Sequence, residues 1–118
     1  AIEDADHILY APGSLFSSVI PSLLIKDIQV ALTKAPGDIT MIMNLTNRGP
    51  DTEGMSGDDH LNAVLSHGAR VDRVLCDKNS LIVKKAPSGC EVIIQEIGTS
   101  ADVHDENLLG NYLSKALL

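Results

Sequence analysis

Tryptophan is absent, and aromatic residues make up only 3% of the 118-residue chain, two Tyr and one Phe. Single-stranded nucleic acid is held largely by stacking on aromatic rings, so the platform such a ligand needs is missing. Basic residues are scarce too: 9 Lys and Arg stand against 16 Asp and Glu, a formal charge of −7 with a pI near 4.8. Duplex binding draws its affinity from cations that neutralise phosphates, and this balance opposes any nucleic acid partner. No apolar run reaches the roughly 18 residues that cross a bilayer, so no membrane span is expected. The N-terminal AIEDADHILY has no basic start leading into an apolar run, so no secretory signal is expected and a cytoplasmic location follows. Cys76 and Cys90 form no CxxC pair and lie beside β-type runs; two buried thiols are expected rather than a disulfide or a metal site.

What the chain does have is apolar content, 44% with a mean hydropathy of +0.10, which suits one globular domain over residues 1–118 with a single core. Its organising stretch is residues 6–24, DHILYAPGSLFSSVIPSLL. Residues 7–11 have the continuous Ile, Leu and Tyr content of a strand buried on both faces. The run stops at Pro12, Gly13 and Ser14, and helical spacing begins at once. Gly13 can take a positive φ or admit a close approach of backbone or ligand, and Ser14 stands where an N-cap belongs. A helix N-terminus behind such a turn presents unpaired N–H groups and a positive dipole end, which favour a phosphate or carboxylate. The plainer alternative is a βα connection in which Ser14 only caps.

Apolar residues then recur at Phe16, Ile20, Leu24, Ile28, Leu32 and Ala35, one face of a helix. Pro21 predicts a kink or two helices, the second restarting near Lys26 and Asp27, with Pro36 and Gly37 ending it. Residues 39–45, ITMIMNL, read as a strand covered on both faces. They run into a polar loop, TNRGPDTEGMSGDD, holding three Gly, one Pro, four acids and Arg48. Open α/β sheets place ligands at the carboxyl ends of strands, so a functional loop is favoured here over a solvated connection. Ser56 caps a helix with Leu61, Val64 and Leu65 inward, ending at Gly68; Asp58 and Asp59 fall in its first turn, where the dipole alone accounts for them. His60 and His67 share a face of that helix, but with no third ligand at helical spacing no metal site is expected. Strands follow at 71–76, VDRVLC, and 90–97, CEVIIQEI. Between them, residues 81–85 fit a short helix or a strand equally well, before a turn at Pro87, Ser88 and Gly89. Asp105 caps a closing amphipathic helix carrying Leu108, Leu109, Tyr112, Leu113 and Leu117. There is no internal repeat. The alternation predicts an α/β fold, a mostly parallel, doubly wound sheet with helices on both faces.

Residues 11–24, APGSLFSSVIPSLL, resemble the GPGSLYTSIIPNLL segment of the gluconeogenesis factor family, relatives of 2-phospho-L-lactate transferase. A second block agrees: residues 44–61, NLTNRGPDTEGMSGDDHL, are similar without a gap to that superfamily's NIMTQPGETDGYTVSDHL. Val103, His104, Asp105 and Leu108 resemble its closing RHDxxKLA. The departures are Ala11 for Gly, Ser22 for Asn, Asn47-Arg48-Gly49-Pro50 for TQPG, and Val103 for Arg. The transferase branch carries PSNPxxSIxPIL where this chain has PGSLFSSVIPSLL, which favours the gluconeogenesis factor branch.

The resemblance implies a cytoplasmic, Rossmann-like protein of about 300 residues that binds a nucleotide or UDP-sugar and links gluconeogenic growth to cell-wall synthesis and cell shape. The family's GGGTG phosphate-binding turn is not present, so residues 1–118 read as the C-terminal part of a larger CofD-like domain. The loops at 13–18 and 44–53 are expected to face one crevice at the carboxyl edge of the sheet. Their candidate ligand contacts are Gly13, Ser14, Leu15, Ser17 and Ser18 on the first loop, and Asn44, Thr46, Asn47, Arg48, Asp51, Thr52 and Glu53 on the second. A binding or regulatory role leads. The rival is a transferase moving a phospholactyl group from a nucleotide diphosphate donor to a deazaflavin, with Asp59 or His60 as base and Mg2+ neutralising the diphosphate. A third reading is a piece inert without the missing half. A homo-oligomer stays open.

Overall fold

The computed structural model describes residues 2–12, 15–45, 52–98, 104 and 106–117. After a single 3-10 turn at Ile2–Asp4, strands β1 (His7–Tyr10), β2 (Asp38–Ile42), β3 (Arg73–Asp77) and β4 (Glu91–Gln95) form one parallel sheet in the order β1-β2-β3-β4. β2 and β3 are buried along almost their whole length, as continuous apolar runs with neighbours on both sides and layers on both faces must be. β1 departs from its expectation. Among the described residues it is the last strand on its side, and Leu9 stays 41% exposed, so only part of the strand is covered.

The segment expected to kink or to divide into two helices at Pro21 divides: a π-helical turn at Leu15–Val19 runs into α1 (Ile20–Leu23), and α2 (Lys26–Lys34) restarts at Lys26 as expected. Pro21 sits in the first turn of α1, where its missing N–H costs nothing, and the break falls at Leu24 and Ile25. The wider π turn shifts the phase of the apolar stripe. Leu15 and Leu23 therefore enter the core, while Phe16 and Leu24, expected inside, are 42% and 57% exposed.

Helix α3 (Gly57–Ser66) forms as its sequence dictates. The Ser56 hydroxyl accepts from the Asp59 N–H at 3.1 Å, the Asp59 carboxylate accepts from the Ser56 N–H at 2.9 Å, and Gly68 closes the helix at φ +86°. Leu61 and Val64 pack beneath it against Met41, Val74 and Cys76, together with Ile20, Leu23 and Leu32. Helix α4 (Glu106–Leu117) lies on the opposite face, Leu109, Tyr112 and Leu113 packing on Ile42, Leu75 and Ile97. Helices thus cover both faces of the sheet, as expected. The N-cap expected at Asp105 lies outside the described residues.

Between β3 and β4 the chain forms neither of the two elements that residues 81–85 fitted. A turn at 78–80 leads into an irregular strap whose Val83 is buried. The Asp58 carboxylate holds that strap, accepting from the N–H groups of Lys84 (3.0 and 3.1 Å) and Lys85 (2.7 Å). Backbone donors that a helix or ladder would satisfy are here satisfied by a side chain. Both cysteines are free thiols, Cys76 buried and Cys90 half-buried, and burial pushes both thiols up.

Candidate functional site

Parallel strands send every following loop off the same edge. Tyr10 at the end of β1 pairs with Met41, and β2 ends one residue later, so the loops after β1 and β2 leave side by side at the carboxyl edge. Around them lie Pro12, Leu15, Asn44 and Leu45, with the ends of β3 and β4 beyond.

The structure distributes the sequence candidates unevenly. Leu15 is fully buried, so its side chain serves the core and only its backbone is left for a ligand. Asn44 is half-buried immediately after β2, Thr52 is buried in the turn before α3, with its carbonyl accepting from the Met55 N–H at 3.0 Å, and Glu53 is exposed. Gly13, Ser14, Thr46, Asn47, Arg48 and Asp51 lie outside the described residues, as do the side chains of Ser17 and Ser18. The short π turn that follows Ser14 replaces the long regular helix expected to supply a strong dipole there.

The two candidate bases have other work. Asp59 is engaged in the α3 capping box. His60 is 1% exposed within the core, and burial pushes its pKa below the ordinary value of 6.5 against an opposing pull from the nearby Asp59 charge. A divalent metal needs several convergent oxygen donors, and the described residues bring no three His, Cys, Asp or Glu groups together for one. Asp58 and Asp59 are both turned onto backbone N–H groups, so these two carboxylates do not converge on a shared metal position.

Two residues absent from the sequence candidates stand at this edge. Asp77, buried at the end of β3, accepts from the N–H groups of Ile97 (2.9 Å) and Gly98 (3.0 Å) through Oδ1, and from Asn79 N–H (3.0 Å) and the Ser80 hydroxyl (3.3 Å) through Oδ2. Burial works to raise its pKa, and these donors outweigh it, holding the carboxyl below the usual range. It ties together the turns that follow β3 and β4. His104 places Nε2 3.3 Å from the Met43 carbonyl and pairs with Gly98 in an isolated antiparallel bridge, which sets His104 over the end of β2. The His-Asp pair of the closing motif was the available signal for His104. Asp77 had none for its reach across the edge, because the partners there are the backbone N–H groups of Ile97 and Gly98, 20 and 21 residues away.

A parallel α/β sheet with helices on both faces and its loops gathered at one edge defines the class of protein. The chain matches the family described as 2-phospho-L-lactate transferase CofD over residues 1–106, and it belongs to that family. Among its relatives, a Deinococcus radiodurans protein named as a gluconeogenesis factor is 39% identical over 82 residues, 70% of this chain and 18% of the relative. A Clostridium acetobutylicum protein named likewise is 40% identical over 86 residues, 71% of this chain and 19% of the relative. The chain therefore spans about a fifth of the length of these relatives. A solved structure of a UPF0052-family protein from Bacillus halodurans shares the fold, with a TM-score of 0.79 at 23% identity, covering 96% of this chain and 44% of that one. No helix among the described residues is long and apolar enough to cross a membrane.

Proposed function

We propose that this chain supplies part of a nucleotide or UDP-sugar binding site in a regulatory protein of the gluconeogenesis factor type, as the C-terminal part of a CofD-like domain. The observation that carries the reading is the side-by-side exit of the loops after β1 and β2 from adjacent parallel strands, since these loops carry the two motif blocks of the resemblance. An open α/β sheet binds ligands outside the carboxyl ends of its strands. The diphosphate would sit against the backbone of residues 13–18, with Arg48 as the cation that reaches it and Asn44 and Thr52 toward the sugar. The proposed role links gluconeogenic growth to cell-wall synthesis in the cytoplasm.

A transferase remains the second reading because the matching family is described by that activity. Binding ranks above it because Asp59 and His60 are occupied by capping and burial. Calorimetric titration of the intact CofD-like protein with UDP-glucose, and separately with GDP and a deazaflavin, tests the choice. UDP-glucose binding that Gly13→Val removes supports the regulatory reading. Formation of a phospholactyl-deazaflavin product from a nucleotide diphosphate donor would replace it with the transferase.

A further inference from the structure

Gly98 takes part in two contacts at once. Its N–H donates to Asp77 Oδ1 at 3.0 Å, beside the Ile97 N–H at 2.9 Å, and it is also the bridge partner of His104. His104 in turn places Nε2 3.3 Å from the Met43 carbonyl. Met43 is fully buried, and its N–H donates to the Leu75 carbonyl at 2.9 Å, one residue past the end of β2. The backbone is thus held from two sides at the residue from which Asn44 departs: β3 receives the N–H, and His104 meets the carbonyl. A buried carbonyl beyond the end of a strand has left the ladder and needs a partner from elsewhere, which the imidazole supplies.

Asp77 stands at the head of this path. It is 4% exposed, and each of its oxygens accepts two hydrogen bonds, those on Oδ2 coming from the Asn79 N–H at 3.0 Å and the Ser80 hydroxyl at 3.3 Å. A carboxylate filled in this way has no acceptor site left for a ligand, so whatever it does for the edge it does through its partners. Resting on the reading of that edge as a nucleotide-sugar site, we propose that Asp77 is a positioning residue: through Gly98 and His104 it fixes the Met43 carbonyl, and with it the point at which Asn44 enters the site. The two oxygens divide the work. Oδ2 shapes the turn that follows β3, whereas Oδ1 reaches 20 and 21 residues along the chain to Ile97 and Gly98.

Two substitutions in the intact CofD-like protein separate these roles. Asp77→Asn keeps a carbonyl oxygen for Ile97 and Gly98 but turns its amide nitrogen toward the Asn79 N–H, so the reach is retained and the local turn is lost. Asp77→Ser keeps a hydroxyl that serves the local turn and is too short to reach Gly98. In titrations with UDP-glucose, Asp77→Ser should weaken binding at least about tenfold, as for one misplaced hydrogen bond, and Asp77→Asn by no more than about twofold, although both variants are less stable. Asp72→Ala, which breaks the ion pair with Arg70 at the opposite end of the sheet, controls for lost stability alone and should stay within about twofold. Equal losses in Asp77→Ser and Asp77→Asn, no loss in Asp77→Ser, or a loss in Asp72→Ala as large as that in Asp77→Ser overturns the proposal.

A second readout needs no ligand. In protein carrying isotope-labelled His and Asn, Asp77→Ser should move the His104 ring and Asn44 amide resonances, and Asp77→Asn should leave them in place; resonances unmoved in Asp77→Ser overturn the proposal. If the unaltered protein does not bind UDP-glucose, the nucleotide-sugar reading falls, and these resonances alone decide whether Asp77 positions Asn44. If Asp77→Ser does not fold, the comparison passes to His104→Gln, whose amide N–H can reach the Met43 carbonyl, and His104→Ala, which has no donor to offer it. A displaced Asn44 amide in His104→Ala alone supports the proposal, and any other pattern overturns it.

Discussion

Arg70 grips Asp72 with a two-pronged ion pair, Nη2 to Oδ2 at 2.9 Å and Nε to the two carboxylate oxygens at 3.3 and 3.2 Å. The same guanidinium donates to the carbonyls of Ala35 (2.7 Å), Gly37 (2.6 Å) and Leu32 (3.3 Å), and Asp72 Oδ2 accepts the Ile39 N–H at 2.9 Å. One pair therefore closes the end of α2 and fixes the starts of β2 and β3. The pair is about one-third exposed, so its Coulomb energy is screened and its worth lies in the carbonyls it satisfies. Arg70→Ala is expected to cost about 2–3 kcal/mol in urea unfolding. Arg70→Lys should recover less than half of that, since an ammonium cannot reproduce the planar fork; full recovery would reduce the clamp to a simple charge.

Acid should find the same groups. Burial pushes the Asp72 and Asp77 carboxyls up, but hydrogen bonds prevail: from Arg70 and the Ile39 N–H for Asp72, and from the Ile97, Asn79 and Gly98 N–H groups and Ser80 for Asp77. Both pKa values end below the ordinary 3.8. The unfolded chain thus binds these protons first, and the stability the two groups contribute is complete above 3.8 and lost as pH falls through the folded values. Asp77→Asn should cost about 1–3 kcal/mol at neutral pH and flatten this acid limb. An unchanged limb would show that Asp77 is not what titrates.

His60 gives a second, milder window. Its folded pKa lies below the unfolded 6.5, mainly through burial, so the fold prefers the neutral ring. Stability should be full above 6.5 and decline as pH drops below it toward the folded value. Unfolding free energies measured from about pH 7.5 down to about pH 5 should show this slope, and His60→Gln should remove it. A slope that survives in the variant would assign it to another group.

Three glycines should separate by surroundings alone. A Cβ on Gly57 would stand 2.5 Å from the Ile82 carbonyl oxygen, and one on Gly37 would stand 2.5 Å from the carbonyl oxygens of Ala5 and Asp6. Backbone atoms cannot step aside as a flexible side chain can, so Gly57→Ala and Gly37→Ala are each expected to destabilise by about 1–3 kcal/mol. Gly110, inside α4, has nothing within 4 Å of its would-be Cβ. Gly110→Ala should stabilise by about 0.5–1 kcal/mol through helix propensity. Thermal melts of the three variants give the comparison, and a destabilised Gly110→Ala would contradict it.

Ligand affinity of the 118-residue chain by itself should be weak, with a Kd for UDP-glucose of about 1 mM or higher. A diphosphate needs several converging donors, while this sequence offers one Gly turn and Arg48, has Val103 where the family carries Arg, and adds a net charge of −7 that repels anions. Titration at one fixed ionic strength measures it. Micromolar affinity would place a complete site within residues 1–118.

The order of strands and helices was legible because the apolar runs at 39–45, 71–76 and 90–97 carry their own signature, and because Ser56 announces α3. Those signals are local. The phase error at Phe16 and Leu24 came from assuming one helical period through a segment that contains a π turn. The strap at 81–85 was illegible because Asp58, more than 20 residues earlier, determines its shape by accepting two of its N–H groups. The Arg70 clamp was hidden for a similar reason: its acceptors are carbonyls, which every residue possesses, so no residue type marks them. At the candidate site, the Ser56 cap with Asp59 in the first turn was legible locally, whereas the burial of His60 depends on packing from distant segments.

Strands occupy the sheet in the order in which they occur along the chain. None of these four described strands has to be threaded between two others, so each can be laid on the outside of its predecessor as synthesis delivers it, at about 5–20 residues per second. Helices α1, α2 and α3 arrive between the strands they shield, whereas α4 follows all four strands and, among the described residues, is the helix that closes the face formed by Ile42, Leu75 and Ile97. During that interval the nascent sheet is covered on one face and bare on the other, where Ile42, Leu75 and Ile97 wait for Leu109, Tyr112 and Leu113.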